Sequence, residues 1–116
     1  MRDPECIFCK IAAGEVGTLV YDGKRVAAFA DASPKAPVHI LVVPKDHHEN
    51  ILDGVPAETL AEMVEAVRQV TAQTGIDKTG FRIVVNTGHD SGQEVQHLHW
   101  HVLGGVPLAK SPFGAA

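Results

Sequence analysis

The run His97-Leu98-His99-Trp100-His101-Val102-Leu103 constrains the fold more than any other segment of the chain. Histidine alternates with apolar residues at a period of two, the period of a β-strand. On a strand, alternate side chains stand on one face at intervals of about 6.6 Å. His97, His99 and His101 would then share a face, with Leu98, Trp100 and Val102 packed on the core behind it. A core face does not suit three imidazoles, because every ring nitrogen needs a partner. Solubility does not call for them either, since Lys or Glu would serve better. The run therefore predicts a strand, over residues 95–104, with a reactive face. A neutral imidazole can attack phosphorus directly to form a phosphoramidate. Neighbours two positions away can orient it, donate to phosphate oxygens or protonate a leaving group. His99, at the centre, is the candidate nucleophile for phosphoryl-group chemistry. No paired carboxylates, Ser-His-Asp order or P-loop pattern competes with it.

The rest of the chain supplies the frame for that strand. Cys6 to Ala13 reads as one or two helical turns ending near Gly14. Short strands are expected at 18–21 and 25–30, joined through Asp22-Gly23 as a hairpin. Val38 to Val43 is a further strand stopped by Pro44, and residues 45–54 are polar and loop-like. From Pro56 the period changes: Leu60, Met63, Val64, Val67 and Val70 recur at helical spacing, with Glu58, Glu62, Glu65, Arg68 and Gln69 largely opposite. That predicts one long helix over about residues 56–74, ended by Gly75. Phe81 to Val85 is a strand, 86–94 a loop, and the tail 110–116 irregular. Short connections between the early strands favour antiparallel pairing. The fold class is α+β, an antiparallel sheet with the long helix on one face.

The chain is 116 residues long, room for a single domain at 1–116 and one modest core that a dimer would help to bury. A formal net charge of −4 argues against general nucleic-acid binding, which needs Lys and Arg on phosphates. A small phosphate ligand can still be held by backbone N–H groups and imidazoles. No stretch is apolar for long enough to span a membrane, and the charged N-terminus does not resemble a secretory signal, so a cytoplasmic location is expected. Cys6 and Cys9, three positions apart, cannot form a disulfide framework. Their spacing suits metal or redox work, and no thioredoxin-like context accompanies them. Zinc would need two more ligands. His47 and His48 after Pro44 are candidates, with His97 the remaining one. Taken alone, His39 reads as a satisfied core histidine, Asn86 as a turn residue and Asp31 as a cap or turn acid.

The stretch Gly92-Gln93-Glu94-Val95-Gln96-His97-Leu98-His99-Trp100-His101-Val102-Leu103-Gly104-Gly105 resembles the signature of the histidine triad (HIT) superfamily. Cys6-Ile7-Phe8-Cys9-Lys10-Ile11, Phe29-Ala30-Asp31-Ala32-Ser33-Pro34, the run from Ala36-Pro37-Val38-His39 to Pro44-Lys45, and Phe81 to Asn86 resemble its Hint branch, the nucleoside phosphoramidases. The resemblance spans nearly the whole chain, in order. It implies a five-stranded antiparallel sheet with one long and one short helix, and a homodimer in which two sheets join. The long helices and the C-terminal segments would lie in that interface, with Val106 to Ala116 near the partner's active site. It implies hydrolysis of nucleoside phosphoramidates or acyl-nucleotides, AMP-X to AMP, through a covalent nucleotidyl-histidine. His99 matches the nucleophile, His101 a phosphate contact and His39 a member of the triad's hydrogen-bond network. Asp31 matches the carboxylate on the ribose hydroxyls. Phe8, Ile11, Val16 and Phe29 match an apolar pocket for the base. Asn86 and the backbone near Gly92 and Val95 match groups that hold the phosphate and its leaving group. In metal-bearing relatives Cys6, Cys9, His47 and His97 match structural zinc ligands; His47 is preferred over His48 by its place in the Pro-Lys-x-His run. Glu94 stands where animal members carry a serine, which implies a changed leaving-group preference. The same members lack the Cys pair, so zinc is not required by the chemistry. The alternatives are dinucleoside polyphosphate hydrolysis, as in the Fhit branch, and a nucleotide-binding scaffold whose hydrolysis is incidental. Gly104-Gly105 and the short C-terminus favour Hint, and the intact set of His39, Asn86, His97, His99 and His101 favours turnover.

Overall fold

A computed structural model describes residues 2–108 of the chain. The tail from 109 onward, with the expectations placed on it, lies outside the described residues. The elements run α1 (Ile7–Ala12), β1 (Tyr21–Asp22), β2 (Val26–Ala30), β3 (Val38–Pro44), α2 (Ala57–Thr74), α3 (Ile76–Thr79), β4 (Phe81–Val85), a 3-10 turn (His89–Ser91) and β5 (Trp100–Gly104). The five strands form one sheet in the order β1-β2-β3-β5-β4, with every neighbouring pair antiparallel. This is the expected α+β architecture, with α3 as an addition.

Alternation along the strands separates two apolar clusters. Val26, Ala28, Ile40, Val42, Leu98 and Val102 face α2 and meet Met63, Ala66, Val67 and Val70. Ala27, Phe29, Leu41 and Val43 point the other way and are covered by Phe8 and Ala12 of α1. The central strand β3 is buried along nearly its whole length because helices cover both its faces.

Helix α2 ends at Gly75, whose φ of 80° is the left-handed geometry that glycine adopts without a Cβ penalty. Its buried stripe differs in part from the sequence reading. Val64 is 51% exposed, while Thr59 and Thr71 are buried. Thr71 satisfies its hydroxyl by donating to the Val67 carbonyl at 2.7 Å. Glu62 does not face away into solvent either. Its carboxylate accepts the backbone N–H groups of Arg25 and Val26 at 3.0 and 3.1 Å, and so ties the β1–β2 hairpin to α2.

Two strand boundaries move. β1 is only Tyr21–Asp22, paired with Ala28 and Ala27, not the expected 18–21. β5 begins at Trp100, not Val95, and Pro44 explains why. The β3–β5 ladder ends at Val42 opposite Trp100. Pro44 has no N–H to continue it, and the Pro44 carbonyl instead accepts from His97 Nε2 at 2.8 Å. The chain before Trp100 turns away, and the Leu98 N–H donates to the His48 carbonyl at 2.6 Å. Leu98, Trp100 and Val102 keep to the α2 side as expected, but of the three triad histidines only His101 lies in the strand.

Candidate active site and metal cluster

The departure of His97 and His99 from the strand gives each triad histidine a different partner. His99 Nδ1 lies 2.7 Å from the His97 carbonyl. A carbonyl only accepts, so Nδ1 carries the proton and Nε2 keeps its lone pair. His39 Nδ1 accepts the Lys35 N–H at 3.0 Å, so His39 carries its proton on Nε2. That proton is donated to His101 Nδ1 at 2.9 Å. His101 therefore holds its own proton on Nε2. Two backbone contacts and the His39–His101 hydrogen bond thus assign a tautomer to each of these three imidazoles, and leave one bare nitrogen on His99 beside one N–H on His101. The two rings meet edge to face with centroids 4.8 Å apart.

Burial favours the neutral form of His39 and His101. His101 is pushed down to about 4, first by desolvation and then by His99 and His39. His39 is also lowered by burial, against the opposing pull of Asp31. Asp31 Oδ2 lies 3.4 Å from His39 Nε2, and Asp31 Oδ1 accepts the Ser33 N–H at 2.8 Å.

His39, His99 and His101 border a cavity of about 620 Å³. Phe8, Ile11 and Phe29 form apolar wall, and Asp31, Asn86, Gly92, Glu94 and Val95 also line it. Phe8 sits edge-on to both Phe29 and His99, at 5.4 and 5.1 Å. Val16 does not line the cavity and is 43% exposed. Ile7, Lys35, Val84 and Leu103 also line it without having been singled out from sequence. For Val84 and Leu103 the signal was available, since strand alternation puts both on the His101 side of β4 and β5.

Gln93 was missed as well. It is buried, and its side chain accepts the Gly88 N–H at 2.9 Å while donating to the carbonyls of Glu49 at 2.8 Å and Val95 at 3.0 Å. This rivet fixes the loop that carries Glu94 and Val95. Nothing in the sequence separates such a glutamine from an exposed loop residue.

Behind His99 lies a second constellation. His97 Nδ1 is 3.3 Å from Cys6 Sγ and 3.5 Å from Cys9 Sγ, and His47 Nδ1 is 3.4 Å from Cys9 Sγ. The four ligand atoms lie within 4.8 Å of one another and could hold a metal ion. His97 donates from Nε2 to Pro44, which frees Nδ1 to face the sulfurs. Burial pushes the Cys9 thiol up and His97 down to about 4. His48 takes no part; its Nδ1 pairs with the Asp53 carbonyl at 2.9 Å.

The profile of the HIT domain matches residues 15–108. The chain belongs to the HIT family. It is 42% identical over 108 residues to the purine nucleoside phosphoramidase of Escherichia coli K12, covering 90% of each chain. It is 33% identical over 112 residues to an uncharacterised HIT-like protein of Rickettsia prowazekii, covering 93% of each. Among solved structures, a histidine triad protein from Clostridium difficile superposes with a TM-score of 0.88 at 44% identity, covering 96% of this chain and 99% of that one. A HIT family hydrolase from Legionella pneumophila gives 0.86 at 39% identity, covering 93% and 99%.

Proposed function

We propose that this HIT protein hydrolyses nucleoside phosphoramidates or acyl-nucleotides, releasing a purine nucleoside monophosphate such as AMP through a nucleotidyl-His99 intermediate. The observation that carries the reading is the commitment of His99 Nδ1 to the His97 carbonyl, which leaves Nε2 as a bare nucleophile in a histidine-lined cavity. Similarity to a purine nucleoside phosphoramidase supports the same chemistry. Phe8, Ile11 and Phe29 suit a base, Asp31 suits ribose hydroxyls, and Asn86 with the Gly92–Val95 loop suits the phosphate end.

In the first step the His99 Nε2 lone pair forms a bond to phosphorus while the bond from phosphorus to the leaving nitrogen or oxygen breaks. The electron pair departs on the leaving atom, and a leaving amine nitrogen takes up a proton. His101 Nε2–H donates to a phosphoryl oxygen as charge builds there. In the second step water attacks phosphorus, the phosphorus–His99 bond breaks, and its electron pair returns to Nε2. The proton released by water balances the one taken by the amine.

Cys6, Cys9, His47 and His97 would hold zinc as a structural ion. A tetrahedral zinc with bonds of about 2.3 Å to sulfur and 2.0 Å to nitrogen separates such ligands by about 3.5 Å, in line with the 3.3–3.5 Å found here. The ion would supply a cross-link between α1, the loop after β3 and the chain before β5, and would favour the thiolates over the buried thiols.

A homodimer that joins two sheets fits the edge strand β4. Phe81, Ile83 and Val85 are 39%, 39% and 36% exposed beside an unpaired ladder. An apolar edge of this kind is either covered or prone to association. Among the described residues no helix is long and apolar enough to cross a membrane.

The test compares wild type and His99→Ala on a fluorogenic adenosine phosphoramidate, with intact-mass detection of an adenylyl adduct. Turnover in wild type and its loss in the variant are expected. Equal turnover in both would reject His99 as the nucleophile, and no turnover in wild type would reject the hydrolase reading in favour of a binding role.

A further inference from the structure

We infer that Glu94 makes the site selective for leaving groups that carry a positive charge beyond the scissile bond, such as diamines and other amines with a second ammonium group. The inference rests on the phosphoramidase reading above and names its substrate class.

Among the described residues, three with acidic or basic side chains line the cavity: Asp31, Lys35 and Glu94. Asp31 is engaged by the Ser33 N–H and faces His39. Lys35 reaches the Ser33 carbonyl at 3.5 Å, so these two charges belong to the β2–β3 connection. Glu94 comes from a different segment, the loop between the 3-10 turn and β5. It is exposed and makes no hydrogen bond or ion pair among the described residues. Its backbone is nevertheless held on both sides. The side chain of Gln93 is locked to Gly88 and Glu49, and it also grips the Val95 carbonyl. Glu94 is thus an uncompensated carboxylate on a fixed part of the cavity wall, close in sequence to Val95 and to the His97–His99 segment.

Such a charge acts twice. A nucleoside phosphoramidate is an anion, so a nearby carboxylate weakens its binding when the leaving group is neutral. A leaving group with a distal ammonium offsets that repulsion and adds attraction. The overall net charge of −4 works in the same direction. Carboxylate chemistry also limits the alternatives: an ionised Glu only accepts hydrogen bonds, so it favours N–H donors and disfavours acyl leaving groups that depart as carboxylates. An exposed charge pair of this kind corresponds to about 2- to 5-fold in relative rate or affinity.

The test uses adenosine 5′-phosphoramidates of propylamine and 1,3-diaminopropane, which share the reacting bond and differ in the remote ammonium. The ratio of kcat/KM, diamine over propylamine, is measured for wild type and Glu94→Gln in low and high salt. The expected wild-type ratio exceeds that of the variant by about 2- to 5-fold, and high salt erodes the difference. Comparing the two proteins cancels the unequal basicity of the two amines. Equal ratios in the two proteins would overturn the inference. If wild type turns over neither compound, the phosphoramidase reading fails instead. Calorimetric affinities of both compounds for His99→Ala and for His99→Ala/Glu94→Gln then decide charge selection by the same ratio.

Discussion

At the residue scale the candidate site gives three similar side chains different hydrogen-bond partners. His99 is set by the His97 carbonyl and His101 by His39, itself set by the Lys35 N–H. His39→Ala is therefore expected to reduce kcat more than to raise KM, since it leaves His101 without its tautomer-fixing donor; a steady-state comparison on the phosphoramidate checks this. The same burial has a cost in acid. His101 has a folded-state value of about 4 against an ordinary 6.5, so between these the unfolded chain binds more protons. Stability present above pH 6.5 is lost as pH falls toward 4, by about 1 kcal/mol per pH unit. His39 shifts in the same direction. Urea midpoints at pH 7.5, 6 and 5 should fall in that order, and more steeply in wild type than in His101→Gln. The sequence marked every one of these histidines and the resemblance gave them different roles, yet strand periodicity alone made the triad look uniform. It could not show that Pro44 ends the β3–β5 ladder and thereby frees His97 to turn inward.

At the element scale, α2 and β4 play opposite parts. Met63 on α2 is fully buried against the sheet, so Met63→Ala should cost about 2–5 kcal/mol in chemical denaturation. On β5, a Cβ at Gly104 would come within 3.0 Å of Ile76 and 3.2 Å of the Gly80 carbonyl. Gly104→Ala should therefore destabilise by about 1–3 kcal/mol, although the residue lies in a strand where glycine is usually a weakness. β4 presents its apolar side chains outward. Ile83→Lys should leave the monomer fold intact by circular dichroism and shift light scattering toward monomer if β4 joins two sheets. Element positions were largely legible because the periods of two and of 3.6 are strong here. α3 was not, since Gly75 signals a stop and four residues are too few to show a period.

At the scale of the whole molecule, the Cys6, Cys9, His47 and His97 cluster brings α1 against the segment that carries His99, because His97 belongs to the cluster through its ring and to His99 through its carbonyl. Metal analysis of wild type is expected to find one zinc per chain and Cys6→Ser to lose it. Chelation should lower the thermal midpoint by several degrees. A stoichiometric metal that survives Cys6→Ser unchanged would refute this ligand set. By itself the sequence determined the strand and helix periods, the antiparallel class, the family and which histidines are candidates for the site. These depend on local spacing and residue chemistry. Only the tertiary structure decided which nitrogen of each imidazole is free, which carbonyls hold them, and that Gln93 pins the loop presenting Glu94. Those contacts join residues as far apart as His39 and His101, or Glu49 and Gln93, and no local pattern encodes such pairings.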